Sequence, residues 1–255
     1  MSSNFLQKGR PTLVGMLRSI TAEELLKEID LMLTQGVDAF GFQIETLIPQ
    51  DRNAENYKKI FSAMQGKPAY VTYYTRGNVL DLTDEELTDE LFLTVECGAK
   101  LVDIRCDLFD RQSCEYSTDQ TAIKKQKEVI ERFKAMGAEV LMSAHVLKYI
   151  PCEKVIEIAL SQQERGVDIV KIVTEANSEV ELAENFKASV ILNEVVKTPV
   201  LFLCNGTHCK KHRILGPVLN NGMFLVVRND LEGQNQPTIQ RAKAQLALEG
   251  YTDLP

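Results

Sequence analysis

Short apolar runs rich in β-branched residues alternate with longer amphipathic segments along the whole chain, and this alternation limits the folds that the chain can adopt. The runs predict strands at residues 12–17, 39–44, 69–75, 101–106, 138–144, 168–173, 200–203 and 223–227. Strands that alternate with helices favour a parallel sheet, and no Gly-x-Gly-x-x-Gly motif of an open dinucleotide-binding sheet follows the first run. Eight such units in 255 residues predict one domain, residues 1–255, folded as a (β/α)8 TIM barrel.

Capping residues mark where several of the intervening helices begin. Thr21 precedes Glu24, and Thr83 precedes Glu86, at the spacing of a capping box. Helices are predicted at residues 21–33, 54–64, 117–136, 151–165, 178–190 and 238–248, and another opens at Thr83. The connection that follows Cys204 is predicted to fall short of a full helix.

Charge and terminal sequence narrow the class of protein. A formal net charge of -7 at pH 7 argues against a nucleic-acid-binding surface. The longest apolar runs are far too short to cross a bilayer, and residues 1–10 lack the apolar core of a signal peptide. The six cysteines are scattered and are expected to be reduced thiols. These features predict a cytoplasmic globular protein that binds neither nucleic acid nor membrane.

Lys171 stands in the middle of the sixth apolar run. Lysine is rarely buried without a partner, and burial favours the neutral amine, which can attack a ketone or aldehyde to form a Schiff base. The alternatives are a structural lysine paired with an interior carboxylate and a lysine that reaches solvent at the barrel mouth. We predict an uncharged, nucleophilic amine inside the barrel.

His145 ends the fifth predicted strand, where alternation gives it the same face as Ser143. Because consecutive strands are neighbours in a barrel, His145 and Lys171 are expected at the same mouth. A histidine titrates near neutral pH and suits proton transfer beside an imine. The alternative is a hydrogen-bonded histidine that only caps the strand.

Alternation also sends polar residues of strands two, three and four into the barrel, while their apolar neighbours face the helices. The inward polar residues are Gln43, Glu45, Thr72, Tyr74, Asp103 and Arg105. They predict either substrate binding or an interior network of ion pairs.

The loops after strands seven and eight often bind anions in this fold. Arg213 can grip a carboxylate with two hydrogen bonds, and Gln234 follows Gly233 in the last loop. A metal site is the alternative for one cluster, Cys204, His208, Cys209 and His212. Its spacing matches no standard zinc pattern, so no metal is predicted.

These segments together resemble the class I 3-dehydroquinate dehydratases. Ser143-Ala-His145 resembles the family's Ser-x-His catalytic stretch, and residues 168–173 resemble the strand that carries its Schiff-base lysine. Residues 206–216 and Gly233-Gln234 resemble its two substrate-binding segments near the carboxyl terminus.

The resemblance implies an aldolase-like barrel, a homodimer, and dehydration through Lys171 with His145 as general acid and base, without a metal or other cofactor. It also implies that Arg213 and Gln234 hold a substrate carboxylate. The chain departs from the family at charged substrate contacts, so we do not assign 3-dehydroquinate as its substrate. The residues predicted to bind the rest of a small carboxylated keto substrate are Gln43, Glu45, Tyr74, Arg105, Ser143, His212 and Asp230.

Other functions remain open at this point. Retro-aldol cleavage of a keto acid would use the same lysine. A barrel that binds a carboxylate without turnover would explain the missing family contacts. A metal-dependent hydrolase would use the cysteines and histidines after strand seven.

Overall fold

The computed structural model describes residues 3–75, 81–220, 222–231 and 235–255. Within them the strands are β1 Thr12–Met16, β2 Ala39–Gln43, β3 Ala69–Thr72, β4 Leu101–Arg105, β5 Glu139–His145, β6 Ile169–Glu175, β7 Val200–Asn205 and β8 Met223–Val226. The helices are α1 Ala22–Gln35, α2 Ala54–Ala63, α3 Asp84–Cys97, α4 Gln120–Ala135, α5 Cys152–Glu164, α6 Glu179–Val195, α7 Cys209–Asn220 and α8 Ile239–Leu248. Of the helices in these residues, none combines the length and the apolar character needed to span a bilayer.

All paired strands are parallel, and the sheet runs in the order β7-β6-β5-β4-β3-β2-β1-β8. The two ends of this sheet come together where β8 begins. A Cβ atom on Gly222 would lie 2.5 Å from the carbonyl oxygen of Val200, so the chain entering β8 touches the start of β7. The predicted (β/α)8 barrel is therefore confirmed.

The strands separate two apolar layers by alternation. Phe40 and Phe42 of β2, like Val102 and Ile104 of β4, pack in the large cluster beneath the helices. A smaller cluster fills the barrel itself, and Phe5 joins it. The members of this interior cluster are Phe5, Val14, Met16, Ala39, Tyr70, Leu101, Leu141, Ile169, Val173, Leu201, Leu203, Met223 and Leu225.

The helix starts follow local capping chemistry. Thr83 and Glu86 form a complete capping box at α3, and Thr21 accepts a hydrogen bond from the backbone of Glu24 at α1. The α4 helix is capped by Asp119, later than the predicted start at residue 117, because its carboxylate accepts from the backbone of the first turn.

The connection after β7 corrects the sequence prediction, because α7 is a full helix of 12 residues. It contains Pro217, which normally disfavours a helix interior. Its inward side is buried, from Cys209 through Pro217, against α6 and β7. Tertiary packing therefore outweighs the local propensity of this segment.

Candidate active site

A cavity of about 170 Å³ opens at the carboxyl ends of the strands. The barrel fold places active sites there because the loops after the strands converge at that face. Its polar lining consists of Arg18, Gln43, Tyr70, Thr72, Tyr74, His145, Lys171, Asn205, Arg213 and Gln236. Five site residues predicted from the sequence line this cavity: Gln43, Tyr74, His145, Lys171 and Arg213.

Lys171 reaches the cavity from β6. Its neighbours Val170 and Ile172 pack beneath the helices, so alternation turns the lysine inward. The residue is only 4% exposed. Its Nζ donates to the hydroxyl oxygens of Tyr74 at 2.7 Å and Tyr70 at 3.0 Å. The amine therefore sits inside the barrel, as predicted.

Asp103 of β4 is the carboxylate at this amine. Its Oδ2 lies 3.0 Å from Lys171 Nζ and accepts hydrogen bonds from the hydroxyls of Tyr70 and Tyr74. Burial raises the pKa of both tyrosines well above their usual value, and the Asp103 charge raises them further. The hydroxyls therefore remain protonated donors.

The Asp103 contact bears on the charge predicted for this amine. A carboxylate at 3.0 Å favours the ammonium form, whereas burial favours the neutral amine of the sequence prediction. The paired interior lysine and the reactive lysine were alternatives in the sequence analysis. In the structure the lysine of this pair borders the cavity.

His145, at the end of β5, is held by Glu115. The ring Nδ1 lies 2.5 Å from Glu115 Oε2, and the His145 backbone N–H donates to the same oxygen at 3.1 Å. Since a carboxylate only accepts, Nδ1 carries the proton of this contact. The imidazole also meets the Tyr74 ring edge to face, with ring centroids 4.9 Å apart. Tyr74 thus contacts both predicted catalytic groups.

Sequence reasoning missed Glu115. It lies in the irregular segment between β4 and α4, at a φ of 47°. No periodicity marks such a position. The only available signal was an acidic residue in a loop that follows a strand, at the end of the barrel where active sites form.

Arg213 enters the cavity from α7. Its Nε donates to the Cys204 carbonyl and its Nη2 to Asn205 Oδ1, both at 2.6 Å. Burial lowers the pKa of its guanidinium to about 10.

The turn before α7 needs Gly206, since its φ is 91° and a Cβ there would lie 2.5 Å from the Ala176 carbonyl oxygen.

Arg18 is a second guanidinium at the cavity, and sequence reasoning missed it as well. It follows β1, and its Nη1 donates to Gln43 Oε1 at 2.8 Å while Nη2 donates to Gln236. The backbone N–H groups of Arg18 and Ser19 both donate to Glu28 Oε2 at 2.8 Å. A carboxylate on α1 therefore fixes the loop that carries the guanidinium.

Two predicted residues lie directly behind the cavity lining. Glu45 accepts from Thr72 Oγ1 at 3.1 Å and from Gln43 Nε2 at 3.3 Å. Ser143 is fully buried, and its hydroxyl is 3.5 Å from that of Tyr74. Both support lining residues and do not themselves border the cavity.

Arg105 corrects a predicted substrate contact. Its Nε pairs with Asp107 at 2.9 Å, its Nη1 donates to Thr75 at 2.6 Å, and its Nη2 lies 3.6 Å from Asp84. These contacts commit the guanidinium to an ion-pair network beside the cavity. The network alternative in the sequence analysis describes this residue.

His212 is a second correction, because it lies outside the barrel. Its Nε2 is 2.9 Å from Ser189 Oγ, and its ring packs against Phe186 and Phe202. The pKa of this imidazole falls to about 3, mainly through burial and also through the charge of Arg213. Since consecutive helical residues point about 100° apart, an inward Arg213 turns His212 away from the cavity.

Asp230 is a third correction. It is exposed and lies 3.3 Å from Arg228, not at the cavity, because its loop position leaves the carboxylate in solvent. Gln234 lies outside the described residues. Across the described ranges, no three histidine, cysteine or acidic side chains are grouped to hold a metal ion.

A sequence model of the type I 3-dehydroquinase family matches residues 16–253 of the chain. No curated protein matches the chain by sequence.

Solved structures of that enzyme share the fold. The type I 3-dehydroquinate dehydratase of Clostridium difficile, solved with covalently modified comenic acid, has a TM-score of 0.81 and 15% identity over 96% of this chain and 94% of its own. The 3-dehydroquinate dehydratase of Enterococcus faecalis has a TM-score of 0.78 and 16% identity over 95% of each chain. The enzyme of Aquifex aeolicus has a TM-score of 0.69 and 17% identity over 94% of this chain and 99% of its own.

Proposed function

The chain belongs to the type I 3-dehydroquinase family and is a lyase of the hydro-lyase class, and from this premise we propose that it dehydrates a small carboxylated keto substrate through a Schiff base on Lys171. One observation carries the proposal. The Lys171 amine and the His145 imidazole line the same cavity, and Tyr74 contacts both.

The first step is condensation at Lys171. The ammonium gives a proton to Asp103, which lies 3.0 Å away, and the neutral amine adds to the substrate carbonyl carbon. The carbonyl oxygen takes one proton from the amine nitrogen and one back from Asp103, and it leaves as water, which produces an iminium. Asp103 is then a carboxylate again, and its Oδ2, the acceptor for Tyr70 and Tyr74, can stabilise the positive charge of the iminium.

The second step is proton removal by His145. The iminium acidifies the adjacent C–H bond, and the imidazole takes that proton to give an enamine. Glu115 stabilises the imidazolium that forms, because its carboxylate is 2.5 Å from Nδ1. The enamine then expels the β-hydroxyl group, which leaves as water with the proton held by His145. Hydrolysis of the conjugated iminium returns the ketone product and the free lysine.

Arg213 is suited to hold the substrate carboxylate. Its guanidinium borders the cavity, and among the described residues it donates to a backbone carbonyl and to the side-chain amide of Asn205, both neutral. Charge-assisted hydrogen bonds from arginine to a carboxylate are short, strong and directional. This contact would fix the keto carbon relative to Lys171.

Borohydride trapping tests the proposal. The protein is incubated with 3-dehydroquinate and with a panel of β-hydroxy keto acids, reduced, and digested for peptide mass spectrometry. We expect an adduct on Lys171 with at least one substrate, and a product lighter by one water. Lys171→Met should abolish both, whereas Lys154→Met, on the exposed surface, should change neither.

Three results would contradict the proposal. They are the absence of a Lys171 adduct across the panel, turnover that survives Lys171→Met, and carbon–carbon cleavage products in place of a dehydrated product.

A further inference from the structure

Two guanidinium groups border the cavity, and the described residues provide neither with a carboxylate within 4.0 Å. One is Arg213, which the resemblance had marked. The other is Arg18, which extends from the end of β1. Burying a cation without an anionic partner is unfavourable, so such groups are candidates for binding an anion from outside.

The side-chain partners of Arg18 are neutral. They are the amide oxygens of Gln43 and Gln236, and its Nε has no hydrogen-bond acceptor within the described ranges. Arg10, by contrast, pairs with Asp38 at 2.6 Å. Arg165 also has neutral partners, Gln126 and the carbonyl of Cys106, but it does not border the cavity. Amide side chains orient a guanidinium without neutralising it.

The pKa shifts of the two arginines also favour an anion in the cavity. Burial lowers the pKa of its guanidinium, and the charges of Glu28 and Glu45 offset this only in part. Arg18 in turn contributes to lowering the pKa of Arg213. The two cations therefore repel each other, and negative charge inside the cavity would stabilise both.

The hydrogen-bond partners of the two guanidiniums lie on different strands of the barrel. Arg18 donates to Gln43 of β2, whereas Arg213 donates to Asn205 of β7. Both β1 and β8 lie between those strands, and the spacings from β2 to β1 and from β1 to β8 together amount to about 10 Å along the sheet. Partners on separate strands suit two carboxylates better than the two oxygens of a single carboxylate.

We propose that the cavity takes a substrate with two carboxylates, one held by Arg213 and the second by Arg18. This inference rests on the proposed function, which supplies the keto group that Lys171 attacks. Each guanidinium would then exchange part of its neutral contacts for a charge-assisted pair. A substrate with one carboxylate leaves the half-buried Arg18 without an anion and is disfavoured for that reason.

Ligands that lack a keto group test this specificity without any covalent step. The probes are cyclohexanecarboxylate and the 1,2-, 1,3- and 1,4-dicarboxylates of cyclohexane, titrated by calorimetry. We expect the wild-type protein to bind at least one dicarboxylate tenfold or more tightly than the monocarboxylate. Arg18→Gln should remove this preference and leave the monocarboxylate affinity within twofold, whereas Arg213→Gln should weaken both kinds of ligand at least tenfold.

Matched variants control for charge and folding. Lys27→Gln removes an exposed positive charge on α1 and should bind like the wild type. Arg18→Lys keeps the charge and should retain part of the preference. Thermal melting of each variant shows whether a lost preference comes from a folded protein.

Three outcomes would overturn the inference. One is a wild-type protein that binds no dicarboxylate more tightly than the monocarboxylate. Another is a preference that survives Arg18→Gln. The third is a loss of monocarboxylate binding in Arg18→Gln equal to that in Arg213→Gln, which would make the two arginines a clamp for one group. Because these probes cannot form a Schiff base, failure of the inference and failure of Lys171 trapping are read separately.

Discussion

Lys171 Nζ and Asp103 Oδ2 lie 3.0 Å apart inside the barrel, and the two side chains are almost completely buried. In the proposed reaction this carboxylate receives the proton that the amine must lose. Asp103→Asn should therefore slow formation of the borohydride-trapped adduct about 100-fold, the range in which proton-transfer groups contribute. It should also lower the free energy of unfolding by about 3 kcal/mol, because a buried ammonium loses its carboxylate.

The matched control for this substitution is Asp107→Asn. Asp107 is also buried and pairs with Arg105 at 2.9 Å, outside the cavity. The Asp107→Asn substitution should destabilise the fold without slowing formation of the Lys171 adduct on the folded protein. Equal trapping rates in the Asp103→Asn variant and the wild type would remove Asp103 from the mechanism.

Tyr74→Phe should lower kcat by about 10- to 100-fold, since a hydrogen bond to a charged group contributes about 1.5 to 3 kcal/mol. The lost hydroxyl contacts Lys171 at 2.7 Å and donates to Asp103. Tyr73→Phe is the control, because within the described residues the Tyr73 hydroxyl has one hydrogen-bond partner, Arg52 at 3.4 Å, and Tyr73 does not line the cavity. Steady-state kinetics of both variants test this. A Tyr73→Phe enzyme as impaired as Tyr74→Phe would show a general packing effect instead.

Glu115→Gln should reduce kcat by about tenfold or more and leave KM within a few-fold, because Glu115 acts on His145 and not on the substrate. With the carboxylate gone, the imidazolium is less stabilised, so the acidic limb of the pH–rate profile should move to lower pH. Glu157→Gln, which removes an exposed carboxylate paired with Lys154, should leave the profile unchanged. An unaltered acidic limb in Glu115→Gln would restrict Glu115 to a structural role.

His212 should make the fold sensitive to acid. Burial, with a further contribution from Arg213, lowers the pKa of His212 from 6.5 to about 3. Between these two values the unfolded chain binds a proton that the folded chain does not bind, so stability falls as pH falls. Lowering the pH from 7 to 5 should therefore remove about 2 kcal/mol through this group.

Urea unfolding at pH 7 and pH 5 measures this loss. His212→Asn should lose less stability over that interval than the wild type, by about 2 kcal/mol. His208→Asn, at a partly exposed position, should lose as much as the wild type. The assignment fails if the His212→Asn protein retains the full pH dependence.

The sequence predicted the parts of the site that lie on strands. In a strand the side chains alternate strictly between two faces, so the apolar neighbours of Lys171 and Asp103 were enough to turn both residues into the barrel. The position of His145 at the end of its strand followed from the same rule.

The parts that the sequence did not predict lie where no such rule applies. Arg18 and Glu115 occupy irregular segments after β1 and β4. The direction of each side chain there is decided by tertiary contacts, with Glu28 for the Arg18 loop and with His145 for Glu115. The error at His212 had another origin. Because the segment after β7 was not predicted as a full helix, the rotation between adjacent helical residues could not be used to separate His212 from Arg213.

Gly41 determines how deep a ligand can go. A Cβ atom at this position would lie 2.7 Å from Met16 Cε. The Met16 side chain therefore occupies space that the side chain of any residue larger than glycine would take. Below it, apolar side chains down to Phe5 fill the barrel bore. Reactant, product and the released water must therefore all pass through the opening at the carboxyl ends of the strands, which Arg18 and Arg213 border. A bulkier residue at position 41 would displace Met16 and leave a shallower cavity that accommodates only smaller ligands.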